Sequence, residues 1–206
     1  MSKIAILGAS GHGKVVADIA ELNGYNTIDF FDDRFPALSG LEHWRVLGST
    51  EDLLQRALDY DAVIVAIGNN AIRLAKHHHL LQVGATLGTL IHPSAVISRY
   101  AKVGVGSVIM ANCVINAFSK VGQASIINTA ATIDHDCILE DGVHVSPGAN
   151  LAGGVSVGES SWLGIGCQVK QLITIGNAVV VGAGATVVSN IDDHKTVVGS
   201  PAKLFR

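Results

Sequence analysis

Residues Ile91–Asp192, set out in sixes, read IHPSAV ISRYAK VGVGSV IMANCV INAFSK VGQASI INTAAT IDHDCI LEDGVH VSPGAN LAGGVS VGESSW LGIGCQ VKQLIT IGNAVV VGAGAT VVSNID. Seventeen consecutive hexads open with Ile, Leu or Val, and the fifth place holds Ala, Ser, Cys or Val in fifteen of them, Ile173 and Ile191 being the exceptions. A period of six matches neither the turn of an α-helix nor the free spacing of independent strands. It matches a β-solenoid in which each hexad forms one flat face and one corner. The first and fifth residues then point inward, and Gly, Asn and Asp are expected where the backbone bends. Three faces close a coil of eighteen residues, so the run predicts a little under six coils. At the usual strand spacing of roughly 4.8 Å the stack is on the order of 27 Å long.

Upstream of this run the pattern changes to α/β. Lys3–Leu7 is a short apolar strand leading into Gly8-Ala-Ser-Gly11-His-Gly13, and Lys14–Leu22 reads as an amphipathic helix ended by Gly24. Thr27–Phe31 is a second strand ending in Asp32-Asp33; Ser49-Thr-Glu-Asp starts a helix whose apolar face is Leu53–Leu58. Asp61–Ile67 is a third, wholly apolar strand, followed by Gly68-Asn69-Asn70 and a helix to about Leu81. This alternation predicts a small Rossmann-like parallel sheet covered by helices. The expected organisation is 1–84 for that domain, 85–90 as linker or entering strand, 91–192 for the solenoid and 193–206 as a tail.

The G-x-x-G-x-G turn, between a strand and a helix, brings backbone N–H groups and a helix N-terminus up to a phosphate, and the Asp32-Asp33 pair falls where a ribose or sugar hydroxyl is held. Three strands leave a dinucleotide no second half to lie across, so a mononucleotide such as the UDP of a nucleotide sugar fits better than NAD(P). His12, between two glycines of the turn, is either a ligand contact or a passenger. His77-His78-His79 reads as a solvated helix face or end, because consecutive helical residues diverge and cannot share one metal.

The totals exclude several classes. A net charge of −3 offers no basic footprint for nucleic acid or an anionic membrane. The N-terminal MSKIAILGASGHG lacks the pattern of a signal peptide, and no apolar run approaches the roughly 20 residues of a membrane span. A cytoplasmic protein is expected. Cys113, Cys137 and Cys167 all take the inward fifth place, which makes them buried hydrophobes with no disulfide or zinc spacing.

Within the solenoid one hexad stands out, Ile133-Asp134-His135-Asp136-Cys137-Ile138, with His144 nine residues on. Carboxylates on both sides of His135 favour its protonated form, and Asp136 would fix the tautomer. That is the arrangement of a general base for an amine or hydroxyl attacking a thioester. Cys137, pointing inward, is not expected to carry an acyl group. Nine residues is half a coil, so His144 does not sit above His135. The side-chain-poor corners Gly153-Gly154 and Gly182-Ala-Gly184 would let an extended ligand lie against the backbone and offer N–H groups to an oxyanion.

The hexad rule is that of the left-handed parallel β-helix of the hexapeptide-repeat acyltransferases. The combination of GASGHG, DD, AIGNN, INTAATIDHDC, VHVSPGANLAGGVSVG and the closing VVGSPAK resembles, end to end, the bacterial nucleotide-sugar and sialic-acid acetyltransferases. It is most similar to the UDP-4-amino-sugar N-acetyltransferases of bacillosamine-type pathways. The resemblance implies the left hand of the helix, which runs against the usual crossover rule, and it implies acetyl-CoA as co-substrate with no metal. His135 then matches the general base and Asp136 the acid that raises its basicity, where the family more often has Glu. Ser10, Gly11, His12, Asp32, Asp33 and Gly68 would hold the nucleotide sugar, with Asn128 near its reactive amine. His144, Ile165 and Ala183 would contact acetyl-CoA. Apart from the resemblance, Lys203 and Arg206 in the tail are expected either to meet the 3′-phosphate of CoA or to be solvated. Family members are homotrimers with each site between two prisms, and Val108, Ile109-Met110 and Trp162 are the residues expected on exposed faces. O-acetylation of a sialic acid, NAD-dependent redox chemistry and a structural β-helix are the alternatives; the last lacks the Thr array of an ice binder and the three histidines of a zinc site.

Overall fold

A computed structural model describes residues 2–205. The chain divides into two compact units, the first ending at Ile91 and the second beginning at His92.

In the first unit, β1 (Lys3–Leu7), β2 (Thr27–Phe31) and β5 (Ala62–Val65) form a parallel sheet in the order β2-β1-β5. β1 and β5 are buried almost throughout and β2 at Phe30 and Phe31, as a sheet covered by helices requires. Helix α1 (Gly11–Leu22) starts three residues ahead of the predicted Lys14, so His12 and Gly13 lie in its first turn behind the N-cap Ser10. Helix α2 (Thr50–Arg56) has a full capping box between Ser49 and Asp52 and passes into a 3-10 turn, Ala57–Asp59. That turn swings Leu58, predicted on the apolar face, out to 75% exposure. Helix α3 (Asn70–Gln82) is capped by Asn69, whose Oδ1 accepts from Ile72 N at 3.0 Å. Arg73, Leu74, His77 and Leu80 form its buried stripe. The expectation of a solvated histidine run is corrected here: His77, at i+4 from Arg73, is 1% exposed, while His78 and His79 face solvent. A small hairpin, β3 (Gly40–Leu41) with β4 (Trp44–Arg45), lies between β2 and α2. Ala85 and Leu87 sit in the core of the first unit and Val63 N donates to Thr86 O, so residues 85–90 are built into that unit and do not hang free.

The second unit is the solenoid. Its strands are two residues long, the sixth of one hexad and the first of the next, and they pair in parallel with the strand eighteen residues away, as Thr132↔Asn150 and Ile133↔Leu151 do. Three sheets result, one per face. First-place residues from Ile109 to Val187 line a buried lumen, with fifth-place Cys113, Ala131, Cys137, Ala149 and Cys167 beside them. Fifth-place serines are buried too, and Ser107, Ser119 and Ser161 each couple two coils. Ser107 Oγ donates to Gly122 O (2.9 Å) and accepts from Ser125 N (3.0 Å); Ser161 does the same with Gly176 O and Val179 N. A buried hydroxyl is tolerated only with such partners.

The bend rule needs correction. The left-handed place is the fourth of each hexad, from Gly106 to Gly184, and it accepts Phe118, Ala124, Ala130, Ser160, Leu172 and Ala178 as well as Gly, Asn and Asp. At these corners the next coil's amide bonds to the turn, as in Ala130 N→Ala111 O at 2.9 Å, and the repeat overrides the intrinsic preference. The expected exposed faces are also revised. Val108, Ile109 and Met110 are buried, Ile109 because it holds the inward first place; Trp162 alone of that set is open, at 48%. The C-terminal segment is no tail: Thr196–Val198 pairs in parallel with Val180–Val181 and antiparallel with Lys203–Leu204, closing the last coil. Arg206 lies outside the described residues.

Candidate active site

His135 and Asp136 occupy the turn between Thr132–Ile133 and Ile138–Leu139. Asp136 is the left-handed residue of this corner, φ 59°, and its Oδ2 lies 2.8 Å from His135 Nδ1. The shorter Asp therefore reaches the imidazole where the related family more often has Glu. The Asp136 hydrogen bond, with the Asp134 charge behind it, raises the His135 pKa above its ordinary 6.5. Asp134 is itself held: its Oδ1 accepts from His135 N at 2.8 Å and from Asn116 Nδ2 at 2.9 Å. Ser119, one coil below, donates to Asp134 O at 2.5 Å and accepts from Cys137 N at 3.0 Å, pinning both ends of the corner.

With Nδ1 committed to Asp136, Nε2 is the nitrogen left for proton transfer. It lies over Gly153, eighteen residues on, where a Cβ would come within 2.5 Å of it. Gly153 thus leaves the seat in which the imidazole rests. Register makes both Asn116 and Gly153 findable from sequence, since each is one coil from the acidic triplet. Cys137 Sγ points inward to Ala152 O at 3.3 Å and burial raises its pKa, the reverse of what a nucleophile needs.

A second cluster forms on a different corner. Asn128 Nδ2 lies 3.2 Å from His144 Nε2, and the His144 ring stacks on Trp162 at 6.0 Å, whose Nε1 donates to Ser146 Oγ at 2.7 Å. Ile165 and Ala183 occupy the same corner in the next two coils, both exposed. One chain therefore assembles Asn128, His144, Ile165 and Ala183 along one edge, and His135 with Asp136 along another. Of the glycine amides expected to be available, Gly154 N is given to His135 O, Gly182 N to Val197 O and Gly184 N to Ile165 O, all as bonds between coils.

In the first unit the turn residues split into two kinds. Gly8, φ 115°, is a packing glycine, since a Cβ there would fall 2.7 Å from Ala66 O. Gly11 and Gly68 are exposed and a Cβ on either would meet nothing, and Ser10 is exposed with no side-chain cap bond. That open patch at the α1 N-terminus is where an anion is favoured. Asp32 is saturated by protein groups: Ala9 N at 2.8 Å, Arg34 Nε at 2.7 Å and Arg34 Nη2 at 2.9 Å. The Arg34 hydrogen bonds hold its pKa down to about 2. Asp33 is pushed up by burial but lowered on balance by Thr50 and Lys76, with Thr50 N at 2.8 Å and Lys76 Nζ at 3.2 Å. Arg73 carries no motif that marks it in the sequence. Its buried guanidinium donates to Ile67 O (2.9 Å), Gly68 O (3.2 Å) and Asn70 Oδ1 (2.9 Å), fixing the turn that carries Gly68. Burial, with the Arg73 charge behind it, drops the His12 pKa to about 4, and His12 Nε2 is buried without a hydrogen-bond partner among the described residues.

Residues 3–80 match the model of the PglD N-terminal domain. The acetyltransferase domain of PglB from Neisseria gonorrhoeae FA1090, solved with acetyl coenzyme A, is 44% identical over 98% of both chains, with a TM-score of 0.94. PerB from Caulobacter crescentus, solved with CoA and GDP-perosamine, is 36% identical over all of this chain and 98% of that one, TM-score 0.95. A UDP-N-acetylbacillosamine N-acetyltransferase of Bacillus subtilis (strain 168) is 38% identical over 111 residues, 52% of this chain and 50% of that protein. The chain spans about half the length of the curated relatives it matches. The fold, the acidic corner around His135 and full-length similarity to these solved structures agree: the chain belongs to the nucleotide-sugar N-acetyltransferases of the hexapeptide-repeat family, a PglD-type domain followed by a left-handed β-helix.

Proposed function

We propose that this protein transfers the acetyl group of acetyl-CoA to the 4-amino group of a UDP-4-amino-4,6-dideoxy sugar for bacterial surface-glycan synthesis. The observation that carries the reading is His135, bound through Nδ1 to Asp136 with Nε2 open over Gly153. As the amine attacks the acetyl carbonyl, His135 Nε2 takes its proton; as the tetrahedral intermediate collapses, the C–S bond breaks and the imidazolium returns the proton to the CoA thiolate. Asp136 holds the tautomer and stabilises the imidazolium. The buried Cys137 argues for direct transfer. The open patch of Ser10, Gly11 and Gly68 would take the nucleotide, His12 contacting it as a neutral imidazole, while Asp33 and Asp32, the latter with its oxygens already filled by Ala9 and Arg34, would shape the patch.

The two separate corners support a homotrimer in which His135 of one chain faces the Asn128, His144, Ile165 and Ala183 edge of the next. No helix among the described residues is long and apolar enough to cross a membrane, and with both substrates metabolites of the cytoplasm the reaction belongs there.

The test is free-thiol release from acetyl-CoA with a panel: a UDP-4-amino-4,6-dideoxy sugar, its GDP-linked and 4-hydroxy counterparts, and free and CMP-linked sialic acid. Release with the UDP amino sugar and not its hydroxy counterpart is expected. Release with the GDP sugar alone would change the nucleotide, and release with sialic acid alone would replace N-acetylation by O-acetylation.

A further inference from the structure

Along the corner that carries His135 and Asp136, the next coil presents Gly153-Gly154 and the one after it Gln171-Leu172. A Cβ at Gly153 would fall 2.5 Å from His135 Nε2, and a Cβ at Gly154 would fall 2.7 Å from Leu172 Cδ2. The imidazole therefore leans over one glycine from below, and the Leu172 side chain folds back over its neighbour from above. Their seats are adjacent residues, with Cα atoms about 3.8 Å apart. Two bonds between coils fix the arrangement: Gly154 N donates to His135 O at 2.9 Å and Leu172 N to Gly153 O at 3.0 Å.

Leu172 is placed against its own preference. Its backbone is left-handed, φ 60°, where a side chain is strained. At 76% it is also the most exposed large hydrophobic among the described residues. The same place in other hexads holds glycine, as at Gly148, Gly154 and Gly166, so the coil does not call for leucine there. What the position supplies is an apolar wall beside the base. The attacking nitrogen must come within about 3 Å of His135 Nε2, and the acyl carbon is one bond beyond it. From there, the way toward the next coils crosses the bare backbone of Gly153-Gly154 and ends on Leu172. That path holds a methyl group and stops a longer chain.

We infer that Leu172 sets the acyl length, closing the acyl end of the site so that acetyl is taken and butyryl and longer chains are refused. The inference rests on the function proposed above. The bond changes are the same for every chain length: the C–N bond forms, the C–S bond breaks, and the amine proton ends on the CoA thiol.

The experiment follows free thiol from acetyl-, propionyl-, butyryl- and hexanoyl-CoA with the UDP-4-amino-4,6-dideoxy sugar, in wild type, Leu172→Gly and Leu172→Met. In Leu172→Gly the ratio of kcat/KM for butyryl-CoA to that for acetyl-CoA should rise about tenfold or more, the scale on which a pocket discriminates single methylenes. Its kcat with acetyl-CoA and its KM for the sugar should stay within about threefold of wild type. Leu172→Met, of similar volume, should keep the wild-type selectivity. Glycine accepts the left-handed corner without strain, so Leu172→Gly should melt close to wild type and a changed selectivity is not unfolding. An unchanged ratio in Leu172→Gly, or a wild type that uses butyryl-CoA as well as acetyl-CoA, overturns the inference while leaving the proposed function intact. Loss of the oligomer in Leu172→Gly, read by light scattering, overturns it in favour of a contact between copies of the chain. Wild type that releases no thiol from acetyl-CoA with this sugar overturns the proposed function, and this inference with it.

Discussion

The two units of this chain solve the placing of functional groups in opposite ways. In the solenoid, a residue's place in its hexad sets its environment, and its neighbours are the residues eighteen before and after it. His135 is flanked along the axis by Ala117 and Gly153 for that reason alone, and Asp134 meets Asn116 by the same rule. In the first unit no such ruler exists. Asp32 is held by Arg34 and Ala9, Asp33 caps α2 and meets α3 through Lys76, and Arg73 clamps the Gly68 turn, all through contacts set by packing of the sheet and helices. A periodic scaffold places chemistry by counting; an aperiodic one places it by burial.

Substitutions can break that contrast. His135→Ala should lower kcat by about 10²–10⁴, the range for a lost general base; near wild-type turnover in the purified variant would end the assignment. Gly153→Ala tests the counting rule. A methyl 2.5 Å from His135 Nε2 must displace the ring, and misplacement of that size lowers kcat by up to about 10². Because Gly153 is not a positive-φ residue, its melting temperature should hardly move; an unaltered kcat would mean that the ring works from another rotamer.

The first unit should respond in stability instead. Arg73→Met strands the carbonyls of Ile67 and Gly68 and should destabilise the unit by about 2–3 kcal/mol, read in denaturant melts. Nucleotide-sugar binding should weaken alongside, while the solenoid keeps its own transition.

Asp136→Asn gives a smaller and more specific effect. Asp136 raises the His135 pKa, so the base form is lost as pH falls through a value above 6.5. Without the carboxylate the acid limb of kcat/KM should shift down toward 6.5, with a lower plateau at high pH because the base is weaker. An unmoved limb would show that another group titrates. The smallest effect concerns His12. Its folded pKa near 4 lies below 6.5, so the unfolded state takes up a proton first and stability falls between pH 6.5 and pH 4. His12→Gln should flatten that part of the stability profile.

Much of the solenoid was legible in advance because its period repeats enough times to outvote local exceptions such as Phe118 and Leu172 at left-handed corners. The acidic corner was legible because His135 and Asp136 are adjacent in sequence, so their 2.8 Å bond needs only a turn. The strand–turn–helix pattern marks the Gly8–Gly13 turn, whereas Ser10, Gly11 and Gly68 as individual site residues came from the family resemblance. The saturation of Asp32 could not be read from either, because Arg34 must fold back onto Ala9 O to close it. Nor could the burial of His77, which depends on which stripe of α3 meets the sheet.

By itself the sequence determined the coil, the inward first and fifth places of its hexads, and a histidine kept basic by its neighbours, since all three follow from spacing along the chain. Only the tertiary structure decided that Gly8 serves packing while Gly11 stays open, that Arg73 sits beneath the Gly68 turn, and that Val108 and Met110 are buried. Those are facts about distances between residues far apart in sequence or on different faces of a coil, and they exist only once burial has chosen which surfaces meet.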